Sequence, residues 1–167
     1  MGERLYLTYC SQCHGSDARG AKGFPNLTDN DWLYGGDAEI IKASITNGRS
    51  GMMPPMAAAV GFDQGAKEVA NYVLSISRRP HDARLATAGQ AKFAVCAACN
   101  GPEGKGNPEL GAPNLTDEVW LYGGSEKTII ETITKGRNCI MPAQKDLLSE
   151  GKIHLLAAYV YGLSAKK

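Results

Sequence analysis

Residues 25–54 read PNLTDNDWLYGGDAEIIKASITNGRSGMMP, and residues 113–142 read PNLTDEVWLYGGSEKTIIETITKGRNCIMP. Aligned without a gap at an offset of 88, 17 of these 30 positions are identical. The chain is therefore two copies of one unit, and such a repeat governs the architecture before any local reading begins. Working outward, each copy opens on a Cys-x-x-Cys pair, Cys10 with Cys13 and Cys96 with Cys99. These pairs lie 86 residues apart, so the second copy carries two extra residues in the Gly-rich loop that follows them. The polar, proline-broken stretch Arg78-Arg79-Pro80-His81-Asp82 marks the boundary between copies. The expected domains are 1–79 and 89–167, joined by a linker over 80–88.

Each copy has the same predicted order of elements. A short helix leads into the Cys pair, and a Gly-rich loop follows. A central helix comes after the Gly-Gly at 35–36 and 123–124, with Asp37 and Ser125 at its N-cap and Gly48 and Gly136 at its end. Ile41 and Ile45 in one copy, and Ile129, Ile130 and Ile133 in the other, share one helical face. A loop ending in Met-Pro leads to a last helix. Its apolar stripe runs i, i+3, i+4, i+7: Val69, Tyr72, Val73 and Ile76, then Leu156, Tyr159, Val160 and Leu163. No segment alternates at period two for long, so strands are not expected. The fold class is all-α: two tandem helical domains with Gly-rich loops, related by a pseudo-twofold.

Composition narrows the function. The chain has 167 residues, 43% hydrophobic and 21% charged, with a formal net charge of +1. A nearly balanced charge gives no electrostatic footprint for nucleic acid. No apolar run is long enough to span a bilayer, and Met1-Gly2-Glu3-Arg4 lacks the apolar core of a signal peptide. A helical unit of this size with so much glycine buries little apolar surface, so a staple such as a metal or cofactor is expected.

Cys10-Ser11-Gln12-Cys13-His14 supplies that staple. Cys-x-x-Cys-His is the spacing of c-type haem attachment. On one helical turn the two sulfurs form thioethers to the two vinyl groups, and the adjacent imidazole reaches the iron. A zinc knuckle would need a second ligand pair in the same unit, and the first copy has no further Cys or His before His81. A thioredoxin-like site would need a βαβ setting. Met52, Met53 and Met56 are candidates for the other axial position. Met53-Pro54 aligns with Met141-Pro142 while Met52 aligns with Ile140, so repeat symmetry selects Met53. His/Met ligation closes both axial faces and suits electron transfer.

Further residues have supporting roles. Pro25 and Pro113 turn the chain on the proximal side, where a carbonyl can orient the axial imidazole. Trp32, Tyr34, Trp120 and Tyr122 pack near the macrocycle and can reach a propionate. Arg49 and Arg137 read either as propionate partners or as solvated surface residues. His81 and His154 read as exposed.

Cys-x-x-Cys-His, PNLTD, WLYGG, a Gly-Arg turn and Met-Pro, duplicated in tandem, resemble the periplasmic part of the dihaem cytochrome c subunit of cbb-type cytochrome oxidases. The resemblance covers essentially the whole chain and implies two tandem class I cytochrome c domains. Carried over by position, it implies that Cys10, Cys13, His14 and Met53 serve one haem c, and that Cys96, Cys99 and Met141 serve a second. It implies an electron carrier in a cytochrome c oxidase complex rather than an enzyme. It also implies a bacterial periplasmic location, with the membrane anchor absent from this chain. The partners it implies are a soluble cytochrome donor and the oxidase catalytic subunit, with no nucleic acid.

The second copy departs from that pattern. It reads Cys96-Ala97-Ala98-Cys99-Asn100, and Asn100 replaces the expected histidine. Cys139, two residues before Met141, stands where the first copy has Gly51. It is expected beside the second haem pocket as an alternative ligand. Three occupants stay open: a haem c with altered ligation, a disulfide from Cys139 to Cys96 or Cys99, and a non-haem metal on those thiols with Met141. The alternative function is an open iron or non-haem metal site with peroxidase-like or ligand-binding activity. A third reading leaves the second copy only to dock a partner.

Overall fold

The computed structural model describes residues 1–164. In chain order these form helices α1 (Gly2–Tyr9), α2 (Ser11–His14) and α3 (Ala38–Asn47), strand β1 (Arg49–Met53), then α4 (Ala57–Val60), α5 (Phe62–Ile76), α6 (Ala83–Lys92), α7 (Ala94–Asn100) and α8 (Glu126–Lys135). Strand β2 (Arg137–Met141) and α9 (Glu150–Ser164) complete the chain. The molecule is mostly helical, with one two-stranded sheet of β1 and β2. Among the described residues no helix is long and apolar enough to cross a membrane.

Local chemistry accounts for the helix limits. Ser125 caps α8 by accepting from the Thr128 N–H, and Asp82 caps α6 by accepting from Arg84 and Leu85. Those two N–H groups, Leu85 first, hold the Asp82 carboxyl below its ordinary pKa. Asp37 precedes α3 as expected but makes no side-chain cap. Helices α3 and α8 both stop at a glycine with φ 71°, Gly48 and Gly136.

The chain divides into two compact units that cut across the repeats. The first comprises Met1–Ser50 together with the chain from Cys139 onward, and the second comprises Gly51–Asn138. In the first unit α9 packs on α1 and α3, burying Tyr6, Ile41, Ile45, Ile153, Leu156 and Val160. In the second unit α5 packs on α6 and α8, burying Val69, Val73, Phe93, Ile129 and Ile133. Each closing helix thus buries its stripe against the other copy. The aromatic pairs follow the same rule. Tyr6 meets Tyr159 with ring centroids 5.6 Å apart, and Tyr72 meets Phe93 at 5.0 Å. Both helix crossings use a glycine. A Cβ on Gly2 would lie 2.7 Å from the Tyr159 Cβ, and one on Gly89 would press into the backbone of Glu68 and Val69.

One expectation gives way here, and the compact units divide the chain elsewhere than the repeats do. The domain limits 1–79 and 89–167 do not describe the compact units, and α6 starts at Ala83, inside the expected linker 80–88. Only six residues separate α5 from α6, and so short a connection makes the two helices antiparallel neighbours. Strands were not expected, yet Arg49–Met53 and Arg137–Met141 pair. Each is five residues long, with burial alternating between half-buried and exposed. Ser50, Gly51 and Asn138 are poor strand formers, so a stretch this short has no legible period-two signal. The chain passes between units within these strands.

Candidate functional site

In the first unit, α1 and α2 place Cys10 half-buried against the core, with Cys13 exposed one turn on. Burial, reinforced by the nearby Cys13, pushes the Cys10 thiol up to about 11. His14 ends α2. Its Nδ1 lies 3.0 Å from the Pro25 carbonyl oxygen, so the tautomer protonated at Nδ1 donates there. The Nε2 lone pair is then free as an axial donor, the usual arrangement of a ligating histidine. Gly20 permits it: a Cβ there would lie 2.7 Å from the Pro25 carbonyl, and its φ is 74°.

The second unit repeats this geometry with one side chain changed, a carboxamide in place of the imidazole. Cys96 is half-buried and Cys99 exposed on α7, and burial raises the Cys96 thiol pKa. Asn100 ends α7, and its Nδ2 donates to the Pro113 oxygen at 2.9 Å. The carboxamide therefore reproduces the bond that His14 makes to Pro25, which explains how the loop keeps its shape. It supplies no imidazole Nε2, and its Oδ1 sits on a shorter side chain and is a weak donor to iron.

The Met-Pro loops sort by unit, not by copy. Met141 is half-buried against the core that holds Cys10 and Trp32. Its loop is tied to α3 by Gln144 N–H donating to Ile45 at 3.0 Å, and Gly48 lies against the backbone of Met141, Pro142 and Ala143. The loop of Met53 is tied to α8 by Met56 N–H donating to Ile133 at 2.8 Å, and Gly136 lies against Met53, Pro54 and Pro55. Repeat symmetry grouped Met53 with His14 and Met141 with Cys96 and Cys99. The structure instead places Met141 in the same compact unit as Cys10, Cys13 and His14, and Met53 in the unit of Cys96, Cys99 and Asn100. The cause is the exchange of closing helices, which carry the loops before them.

Cys139 also changes sides. It lies in the first unit with its thiol 3.9 Å from the Gly23 carbonyl oxygen, while Cys96 and Cys99 lie in the second. All five cysteines are free. Among the described residues, no three His, Cys, Asp or Glu side chains gather as a metal ion would need. The disulfide and the non-haem metal site on Cys96, Cys99 and Cys139 therefore find no support.

The two arginines are engaged rather than solvated. Arg49 stacks over Tyr34 at 4.5 Å and donates from Nε to Ser44 Oγ at 2.8 Å. Arg137 stacks over Tyr122 at 4.4 Å and donates to Thr132 Oγ1. His81 and His154 are exposed, as expected.

A c-type haem fits the first unit: two cysteines one helical turn apart, an imidazole held by a carbonyl, and a half-buried methionine. The second unit fits except at Asn100. There Trp120 Nε1 is buried without an acceptor, which an acidic group of the cofactor would satisfy.

The model of the family described as cytochrome C oxidase, cbb3-type, subunit III matches residues 1–73 and 84–160. The chain belongs to this family. It is 57% identical to the CcoP subunit of the cbb3-type cytochrome c oxidase of Rubrivivax gelatinosus, over 98% of this chain and 54% of that protein. It is 44% identical to the CcoP subunit of Cereibacter sphaeroides, over 97% of this chain and 60% of that protein. The FixP subunit of a Bradyrhizobium strain is 46% identical, over 99% of this chain and 61% of that protein. The chain thus spans little more than half the length of the relatives it matches. Membership in a cytochrome c oxidase subunit family accords with haem c at the Cys-x-x-Cys-His turn. None of these relatives is named for peroxidase-like or ligand-binding activity, so that alternative has no support.

Proposed function

We propose that this chain is the haem c-bearing part of a cbb3-type oxidase subunit and passes electrons towards the oxygen-reducing subunit. The observation that carries the reading is His14, held through Nδ1 by Pro25 on a Cys-x-x-Cys-His turn in the same unit as Met141. A haem c held there would supply one-electron transfer, and donors from both His14 and Met141 would leave its iron closed to substrates. In this reading Cys10 and Cys13 would attach the first haem, and His14 and Met141 would hold its iron. Cys96 and Cys99 would attach the second, with Met53 as a thioether donor and Asn100, in place of an imidazole, offering only a weak one. The chain acts as an electron carrier. Its partners are a soluble cytochrome donor and the oxidase catalytic subunit. Its location is the bacterial periplasm, tethered through a membrane anchor.

The crossed methionines offer a direct test. Met141→Ala is expected to abolish the Met–iron charge-transfer band of the first haem and open it to carbon monoxide, while Met53→Ala leaves that band in place. Loss of the band in Met53→Ala, with retention in Met141→Ala, would return the ligand to its own copy. Haem counting by pyridine haemochrome, with mass spectrometry of the cysteine peptides, fixes how many sites carry haem.

A further inference from the structure

Among the described residues two buried side-chain nitrogens have no hydrogen-bond partner, Arg79 Nε and Trp120 Nε1. They are neighbours in the second unit, with the Arg79 guanidinium carbon 5.4 Å from the Trp120 ring centroid. The terminal nitrogens of Arg79 donate to the Gly124 and Glu118 carbonyls at 3.4 Å each, near the outer limit of a hydrogen bond. The guanidinium is therefore lightly held and can re-seat. A buried donor with no acceptor is destabilising, so two side by side call for an acceptor.

This arrangement belongs to the second unit. A Cβ on Gly124 would run into the Arg79 guanidinium at 2.7 and 2.8 Å as well as Trp120 at 2.9 Å, whereas the three atoms nearest to one on the equivalent Gly36 all belong to the Trp32 indole. Gly124 leaves the room the guanidinium uses. Trp32 Nε1 is not among the unpartnered buried atoms. A cationic N–H and an indole N–H together fit a carboxylate, as charge-assisted hydrogen bonds are the stronger kind. Within this unit the carboxylates to be expected are the propionates of a haem attached at Cys96 and Cys99, so the inference rests on the reading given above.

We infer that Arg79 and Trp120 hold a propionate of the second haem, and that Arg79 raises this haem's reduction potential. Ferric haem carries one more positive charge than ferrous, so a fixed cation nearby disfavours oxidation. Among the described residues, the arginine that stacks in the first unit, Arg49, lies over Tyr34 rather than over Trp32.

The test uses the full haem-bearing chain. Mass spectrometry of the Cys96–Cys99 peptide establishes whether haem is attached. Redox titration then follows each haem, with the first identified by the loss of its Met–iron band in Met141→Ala. Arg79→Gln is expected to shift the second haem to lower potential and to make that potential depend on pH, as its propionate loses a stabilising cation. The first haem stays where it was. Arg79→Lys restores part of the shift, and Trp120→Phe lowers the potential with Arg79 intact. A purely structural role would lower stability and leave the potential unmoved. Unchanged potentials in Arg79→Gln and Trp120→Phe overturn the inference alone. A Cys96–Cys99 peptide without haem overturns it together with the reading it rests on.

Discussion

The exchange of closing helices can be tested by a double-mutant cycle on Tyr6. This residue is fully buried, its hydroxyl donates to the Gly15 carbonyl at 2.7 Å, and its ring meets Tyr159 at 5.6 Å between centroids. In the second unit Phe93, three residues before Cys96, takes the corresponding place and meets Tyr72 at 5.0 Å. If each copy closed on itself, Tyr6 would face Tyr72 and Phe93 would face Tyr159. An aromatic pair contributes about 0.5–1.5 kcal/mol beyond its area burial. The pair of Tyr6→Leu and Tyr159→Leu is therefore expected to show a coupling of about 1 kcal/mol. Tyr6→Leu with Tyr72→Leu joins two separate cores, and such pairs usually add to within about 0.3–0.5 kcal/mol. Tyr6→Leu alone also removes the bond to Gly15, about 1 kcal/mol more, but that term cancels in the cycle. Urea unfolding of the haem-bearing chain, followed through the Met–iron band, reads the first unit directly. Coupling of Tyr6 to Tyr72 with additivity towards Tyr159 would refute the exchanged arrangement.

Three further outcomes are expected. Asn100→His keeps a donor to the Pro113 carbonyl and adds a ring nitrogen for iron; it should give a second low-spin His/Met haem, and a redox titration with no second low-spin component would count against it. Gly89→Ala forces a Cβ into the Glu68 backbone on α5, an overpacking cost of about 1–3 kcal/mol, which should lower the melting temperature of the second unit and leave the Met–iron band of the first melting as before. Burial raises Tyr6 to about 12, above its unfolded value near 10, so the folded state holds its proton more tightly. Stability should then be level below pH 10 and fall from there to about pH 12, and Tyr6→Phe should flatten that fall in urea titrations taken across the range.

Much of this was legible in sequence because the signals are local. Ile41 and Ile45, and Ile129 and Ile133, share helical faces and are buried. Gly48 and Gly136 end their helices because the positive φ each needs is a property of the residue. Cys10, Cys13 and His14 declare their chemistry by spacing. What escaped depends on contacts far along the chain. The partner of each apolar stripe cannot be read from the stripe, since α5 and α9 present equivalent faces. Arg79 looked like a linker residue because its neighbours Trp120 and Gly124 lie some 40 positions on. Asn100 was visible as a departure, but its bond to Pro113 required the folded loop.

The repeat identity explains why sequence could not choose between the two pairings. With 17 of 30 positions shared across the central segment, either copy's closing helix meets nearly the same surface, so burial barely discriminates. Connection length does. Six residues join α5 to α6, so the two helices fold back on one another, and Gly89 lets their backbones approach. Helix α6 continues through Phe93 into α7, which bears Cys96 and Cys99. Helix α5 is thereby committed to the cysteines of the second copy, and the Met53 loop, a few residues ahead of it, is committed with it. Helix α9 and the Met141 loop are left to close on α1 and α3. Each copy then supplies the cysteine turn of one compact unit and the Met-Pro loop of the other. Asn100 falls in the unit whose Met-Pro loop comes from the first copy, so neither copy keeps its own cysteine turn and Met-Pro loop in one unit.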